Sequence, residues 1–111
     1  MVDRKTSKAV ANKYGYTAQA GQLTEECAEL IVALNKFNRA GGMDGLNNKS
    51  DSESAKRRRK QIIEEIADVA IMLDQIIYLL DADYEVQNEI KFKQWRESER
   101  IKRRGEKKCN D

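Results

Sequence analysis

Apolar residues recur along this chain at alternating steps of three and four, the spacing that lays a stripe along one side of an α-helix. From residue 17 to about 40, Leu23, Cys27, Leu30, Leu34 and Phe37 form such a stripe, with Thr17 as the expected N-cap and Gly41-Gly42 as the stop. From about 55 to 80, Ile62, Ile66, Val69, Leu73, Ile76 and Leu80 form a second stripe, widened by Ile63, Ala70 and Ile77. Ile71, Met72 and Leu79 occupy the remaining side, so past its first turn and a half this helix is apolar nearly all round. That is the pattern of a helix covered by neighbours on every face. Two weaker segments complete the set. One is short, at about 7–14, opened by Thr6 or Ser7 and closed by Gly15; the other, at about 84–104, is capped by Asp81 or Asp83 and bears Val86, Ile90, Trp95 and Ile101 on a charged body. Residues 41–55 are rich in Gly, Asn, Ser and Asp, which predicts a flexible loop. The expected fold is all-α: an antiparallel bundle of about four helices in one domain over residues 1–104, with a frayed basic tail at 105–111.

Composition narrows the chemistry. A chain of 111 residues is one domain's worth. It is too small to surround the second long helix by itself, which predicts completion of the bundle by oligomerisation, as a homodimer or a dimer of dimers. There is no histidine, which excludes Ser-His and Cys-His nucleophile pairs, HExxH zinc sites and histidine-containing di-iron bundles. There is no proline either, which favours long uninterrupted helices. Cys27 and Cys109 lie far apart and make no CxxC pairing, so they are expected to be a core thiol and a tail thiol. No run approaches the ~20 apolar residues of a membrane span, and residues 1–11 hold no apolar run of signal-peptide length, so a cytoplasmic protein is expected.

The 21 basic and 19 acidic side chains nearly balance, but they are unevenly placed. Residues 91–108 carry nine Lys and Arg against three Glu, a face that either is simply solvated or meets something negative. Arg57-Arg58-Arg59-Lys60 forms a smaller basic run at the start of the third segment.

The carboxylates are the more unusual feature. Glu26 and Glu29 are neighbours on one helix face and flank the apolar stripe; Glu65 and Asp68 share the same spacing and fall among Met72, Ile76 and Leu79. A single ExxE on a helix is ordinarily a solvated face. Two such pairs, each embedded in a strong apolar period on adjacent antiparallel helices, predict inward acids that must be protonated, paired or bound to metal. An all-oxygen cluster without histidine suits Mg2+ or Mn2+, ions that bind phosphate oxygens well.

The two motifs, Glu25-Glu26-Cys27-Ala28-Glu29-Leu30 and Glu64-Glu65-Ile66-Ala67-Asp68-Val69, resemble the EExxEL and ExxDV motifs of the MazG-like, all-α nucleoside triphosphate pyrophosphohydrolases. The resemblance runs from about Tyr14 through Gln22 and both motif helices to the basic fourth helix, with a longer connection between the motifs than the family usually has. It implies metal ligation by Glu26, Glu29, Glu65 and Asp68, with Glu25 helping to orient the attacking water or a second ion. It also implies that Lys93 and Arg96, with Arg100 one turn on, lie near the phosphates. Met72 stands where relatives often carry a base-stacking aromatic, which leaves Trp95 and Tyr16 as substitutes and Gln22 as a partner for base or ribose.

The expected activity is therefore Mg2+-dependent hydrolysis of a (d)NTP to the nucleoside monophosphate and pyrophosphate. Two rivals remain at this stage. One is a phosphoribosyl-ATP pyrophosphatase-like enzyme of the same fold. The other is a non-catalytic helical module that binds nucleic acid through residues 57–60 and the basic tail, with steep salt dependence and no use for the inward acids.

Overall fold

The computed structural model describes residues 2–48 and 52–110, with side chains through residue 105. Five helices account for it: α1 (Arg4–Tyr14), α2 (Tyr16–Arg39), α3 (Gly42–Asn47), α4 (Ser52–Leu79) and α5 (Asp83–Asn110). No strand occurs among the described residues, and none of the described helices is long and apolar enough to cross a membrane. The chain forms two compact units, Met1–Leu80 and Asp81–Asp111, each described by itself.

Helix α1 begins three residues earlier than its weak apolar pattern suggests. Asp3 is the N-cap, in place of the expected Thr6 or Ser7: its carboxylate accepts from the Lys5 N–H at 3.1 Å and from the Thr6 hydroxyl at 2.6 Å. The Thr6 hydrogen bond holds the Asp3 carboxyl below its ordinary value. Ser7, left inside the helix, is buried. Gly15, at φ 83°, ends α1 and starts α2 in one step, so Thr17 lies inside α2 and caps nothing.

Within the first unit α4 contacts α1, α2 and α3. It runs antiparallel to α2 in a constant register: residues 19, 26, 29 and 36 of α2 face residues 75, 68, 65 and 58 of α4. The inward side of α2 is Gln19, Leu23, Glu26, Leu30, Ala33 and Phe37, all buried or half-buried. That of α4 includes Ala55, Ile62, Glu65, Val69, Met72 and Gln75. The expected stripes are thus turned: Leu34, Ile66 and Leu73 remain exposed, while Glu26, Glu65 and the Gln19–Gln75 pair, hydrogen-bonded at 2.6 Å, occupy the seam. Arg4 ties α1 to α4 by donating to Asp74 Oδ1 from Nη2 at 2.8 Å and from Nε at 3.1 Å, and the Tyr78 hydroxyl donates to Asn12 at 2.9 Å.

The segment expected to be a flexible loop, residues 41–55, is largely helical. Positive φ at Gly41 (98°) and Gly42 (57°) reverses the chain into α3, and α4 is under way by Ser52. The glycines here serve close approach. Gly45 is buried, and a Cβ on it would collide with the Ala40 carbonyl oxygen and meet the Ala55 methyl at 3.3 Å. The part of the expected loop at 49–51 lies outside the described residues.

In the second unit, Asp81 takes a left-handed φ of 52° and Asp83 lies in the first turn of α5, so neither is an N-cap of the expected kind. Helix α5 continues to Asn110, six residues past the expected end at Arg104 and through most of the tail expected to fray. Gly105 is the weakest helix former on the way, at a cost of about 1 kcal/mol, and Glu106, Lys107 and Lys108 favour continuation.

Two glycines should respond oppositely to alanine. Gly45→Ala is expected to destabilise the fold by about 1–3 kcal/mol through the clash with Ala40. Gly21→Ala, inside α2 with nothing within 4 Å of the added methyl, should stabilise it by roughly 0.5–1 kcal/mol. Urea unfolding of both variants checks the pair.

Candidate functional site

The register of α2 against α4 brings the motif carboxylates together. One oxygen each from Glu26, Glu29 and Glu65 lies within 4.8 Å of the other two. Glu26 and Glu65 are half-buried, and the Oε2 atom of each is shielded from solvent with no hydrogen-bond partner. Glu29 and Asp68 sit at the exposed margin, so the four acids expected inside divide into two in the seam and two at its edge. Asp68 borders the cluster through Glu26, whose carboxylate lies within hydrogen-bonding reach of it. Glu25 is exposed and outside the cluster, as its position about 100° round the helix predicts.

Electrostatics follow from this crowding. Burial, and then the charges of Glu29, Asp68 and Glu26, raise the Glu65 carboxyl above its ordinary value. Burial, and then Glu26, raise that of Asp68. Gln22 is taken up locally: its side-chain amide donates to Glu26 Oε1 at 2.8 Å, one turn along α2, and so orients that carboxylate.

The cluster opens onto a groove of about 400 Å³ between α2 and α4, whose lining includes Glu29, Lys36, Gln61, Glu64 and Glu65. Lys36 and Glu64 belong to this site although the sequence alone presents them as ordinary helix surface. The available signal was spacing, since Lys36 follows Glu29 by two helical turns. A larger depression, about 570 Å³ between α1 and α4, is lined mainly by Val2, Val10, Ile63, Ile66 and Ile71 and includes none of the four carboxylates.

The donor set fits a hard divalent cation. Neighbouring oxygens around an octahedral ion at about 2.1 Å are about 3 Å apart, so three glutamate oxygens within 4.8 Å of one another would have to draw closer, by rotamer adjustment, to share one ion. Two shielded oxygens without partners are the groups such an ion would satisfy.

The other expected site residues are described within their own units. Lys93, Arg96 and Arg100 are exposed along one face of the continuous helix α5, in the second unit. Trp95, 59% exposed, neighbours Phe92 with ring centroids 6.1 Å apart, and the Arg96 guanidinium sits over the Phe92 ring at 5.7 Å. Tyr16 is half exposed at the start of α2. Among the thiols, Cys27 is free and half-buried in the first unit; the side chain of Cys109 lies outside the description. No family model, no curated protein and no solved structure matches this chain.

The raised carboxyls make the metal-free fold sensitive to pH. The folded state binds protons more tightly than the unfolded state at Glu65 and Asp68, so stability should fall as pH rises from their ordinary values of 4.5 and 3.8 through the raised ones. A melting series in chelator is expected to show a higher Tm in mild acid than at neutrality. Millimolar Mg2+ should remove that slope by satisfying the ionised forms.

Proposed function

We propose that this chain is a Mg2+- or Mn2+-dependent nucleotide pyrophosphohydrolase that cleaves a (d)NTP between its α and β phosphates, releasing the nucleoside monophosphate and pyrophosphate. The observation that carries the reading is the convergence of Glu26, Glu29 and Glu65 within 4.8 Å in a histidine-free helix seam. It adds to the resemblance of the EExxEL and ExxDV motifs to the MazG-like family.

Glu26, Glu29, Glu65 and Asp68 would hold the ion, with Gln22 fixing the orientation of Glu26. When bound, the ion supplies positive charge opposite the phosphoryl oxygens and makes water a stronger acid. Glu25, exposed beside the cluster, orients the water for attack on phosphorus, and the bridging P–O bond breaks toward pyrophosphate. Lys93, Arg96 and Arg100 present a cationic face for the negative charge of the phosphates. Trp95 or Tyr16 supplies the stacking surface for the base that Met72 does not.

The active form is proposed to be a dimer or a dimer of dimers. Ile63, Ile66, Ile71 and Leu73 on α4 and Ile31, Val32 and Leu34 on α2 are all more than two-fifths exposed within the chain, an apolar surface of the kind that subunit contacts cover.

Incubation with a panel of (d)NTPs and Mg2+ is expected to yield monophosphate and pyrophosphate in equal amounts. The double variant Glu65→Gln/Asp68→Asn should lose at least about 100-fold in rate. Full activity in that variant overturns the site. A substrate at 100 times its dissociation constant should add about 2.7 kcal/mol to stability in the presence of Mg2+, readable as a thermal shift.

A further inference from the structure

Beside the groove between α2 and α4 lies a second depression of about 320 Å³ lined by Lys36, Arg39, Ala40, Ser54 and Arg58, and Lys36 lines both. The register places Lys36 opposite Arg58 as it places Glu29 opposite Glu65, seven residues away on each helix, or about 10 Å along the axis. Like charges therefore face each other twice along one groove, negative at one end and positive at the other.

Helix electrostatics explain only part of the basic end. Lys36 and Arg39 lie in the last turn of α2, where cations offset the partial negative charge of the helix terminus. Arg58 has no such reason: it sits in the second turn of α4, near the end that is already positive. None of the three has a carboxylate partner among the described residues. Arg58 is half-buried and donates from Nη1 to Gln61 Oε1 at 3.0 Å, a bond that fixes its guanidinium and leaves further donors.

We propose that Lys36, Arg39 and Arg58, with the Ser54 hydroxyl, form a subsite for a terminal, non-esterified phosphate, so that the α2/α4 groove takes a polyphosphate lengthwise. The assignment rests on the reading of the acidic end as the metal-binding end of a nucleotide site. The basic end then binds the far phosphates, which leave as pyrophosphate. Cations flanking a groove select for terminal phosphate because its oxygens carry more charge than a phosphodiester and accept from several donors at once. The expected preference is for triphosphate over diphosphate and for inorganic pyrophosphate over a nucleic-acid backbone.

Calorimetric titration of the full chain with inorganic pyrophosphate, in chelator and in Mg2+, tests this. The wild type is expected to bind in both, more tightly with Mg2+. Arg39→Gln/Arg58→Gln should lose binding in chelator and weaken it at least about tenfold in Mg2+. Should the double variant fail to fold, as circular dichroism will show, Arg39→Glu alone provides the same comparison. No binding by the wild type in chelator, or equal affinity in the variant, overturns the subsite. So does tighter binding of a single-stranded oligonucleotide than of pyrophosphate, where it is lost in the same variant. Pyrophosphate binding that depends on Arg39 and Arg58, in a protein that hydrolyses no (d)NTP, upholds the subsite and refutes the enzymatic reading alone.

Discussion

Like charges facing each other across one helix pair set the terms for the first unit. Glu26 meets Asp68 and Glu29 meets Glu65 where α2 crosses α4, and Lys36 and Arg58 line one depression two turns away. Opposite charges at these positions would have stabilised the pair; like charges in a partly dry seam oppose it. The seam must be held by its other members. Leu23, Leu30, Ala33 and Phe37 on α2, and Ile62, Val69 and Met72 on α4, supply the apolar part, each large side chain giving less than the about 1.5–3 kcal/mol of full burial. The Gln19–Gln75 hydrogen bond fixes the register at one end, and Gly45 against Ala40 and Ala55 fixes the approach at the other.

Small residues make the crowding possible. Among the described residues, three of the five buried apolar ones are alanines, Ala11, Ala33 and Ala55, and no large side chain is completely enclosed. Alanine contacts let helix axes approach, because interaxial distance follows the side chains at the crossing. Close approach brings carboxylate oxygens on facing helices within 4.8 Å of one another. The same economy leaves much of the apolar surface of α4 uncovered, with Ile63, Ile66, Ile71 and Leu73 all exposed. A site dense in acid and a core thin in bulk are thus two results of one packing choice.

How far the sequence revealed this depends on which signal each element used. The periods of α2 and α4 are strong, and both helices lie where those periods place them. Which face turns inward was harder to read. The three-four pattern selects Leu34, Ile66 and Leu73, but Ala33, Glu65, Met72 and Gln75 fill the seam, because apolar residues lie on several sides of α4 and hydropathy alone cannot rank them. The acidic cluster was legible because each motif repeats at a spacing that keeps it on one face. The basic end was not, since Lys36 and Arg39 look like a helix terminus and Arg58 is one of five consecutive cations. Segment 41–55 was misjudged for a simpler reason: glycine reads as freedom, whereas Gly41, Gly42 and Gly45 are there for positive φ and for contact too close for a side chain.

The polarity of the groove bears on why its acids and bases are not simply paired. A shift of one heptad in either helix would bring Lys36 to Glu65 or Arg58 to Glu29, cancelling both unfavourable encounters. The observed register forgoes that, and the about 10 Å between the two ends is beyond direct ion pairing. At physiological salt the Debye length is about 8 Å, so across open solvent the ends would scarcely sense each other. Inside a groove walled by helices the screening is weaker, and a field persists from the carboxylates toward the cations. A ligand that answers this field is negative where the protein is positive and is accompanied by a cation where the protein is negative. Neither a bare anion nor a bare metal meets both conditions. A polyphosphate carrying a divalent ion near one end would, and this is the charge argument for the proposed metal-nucleotide ligand over either component alone.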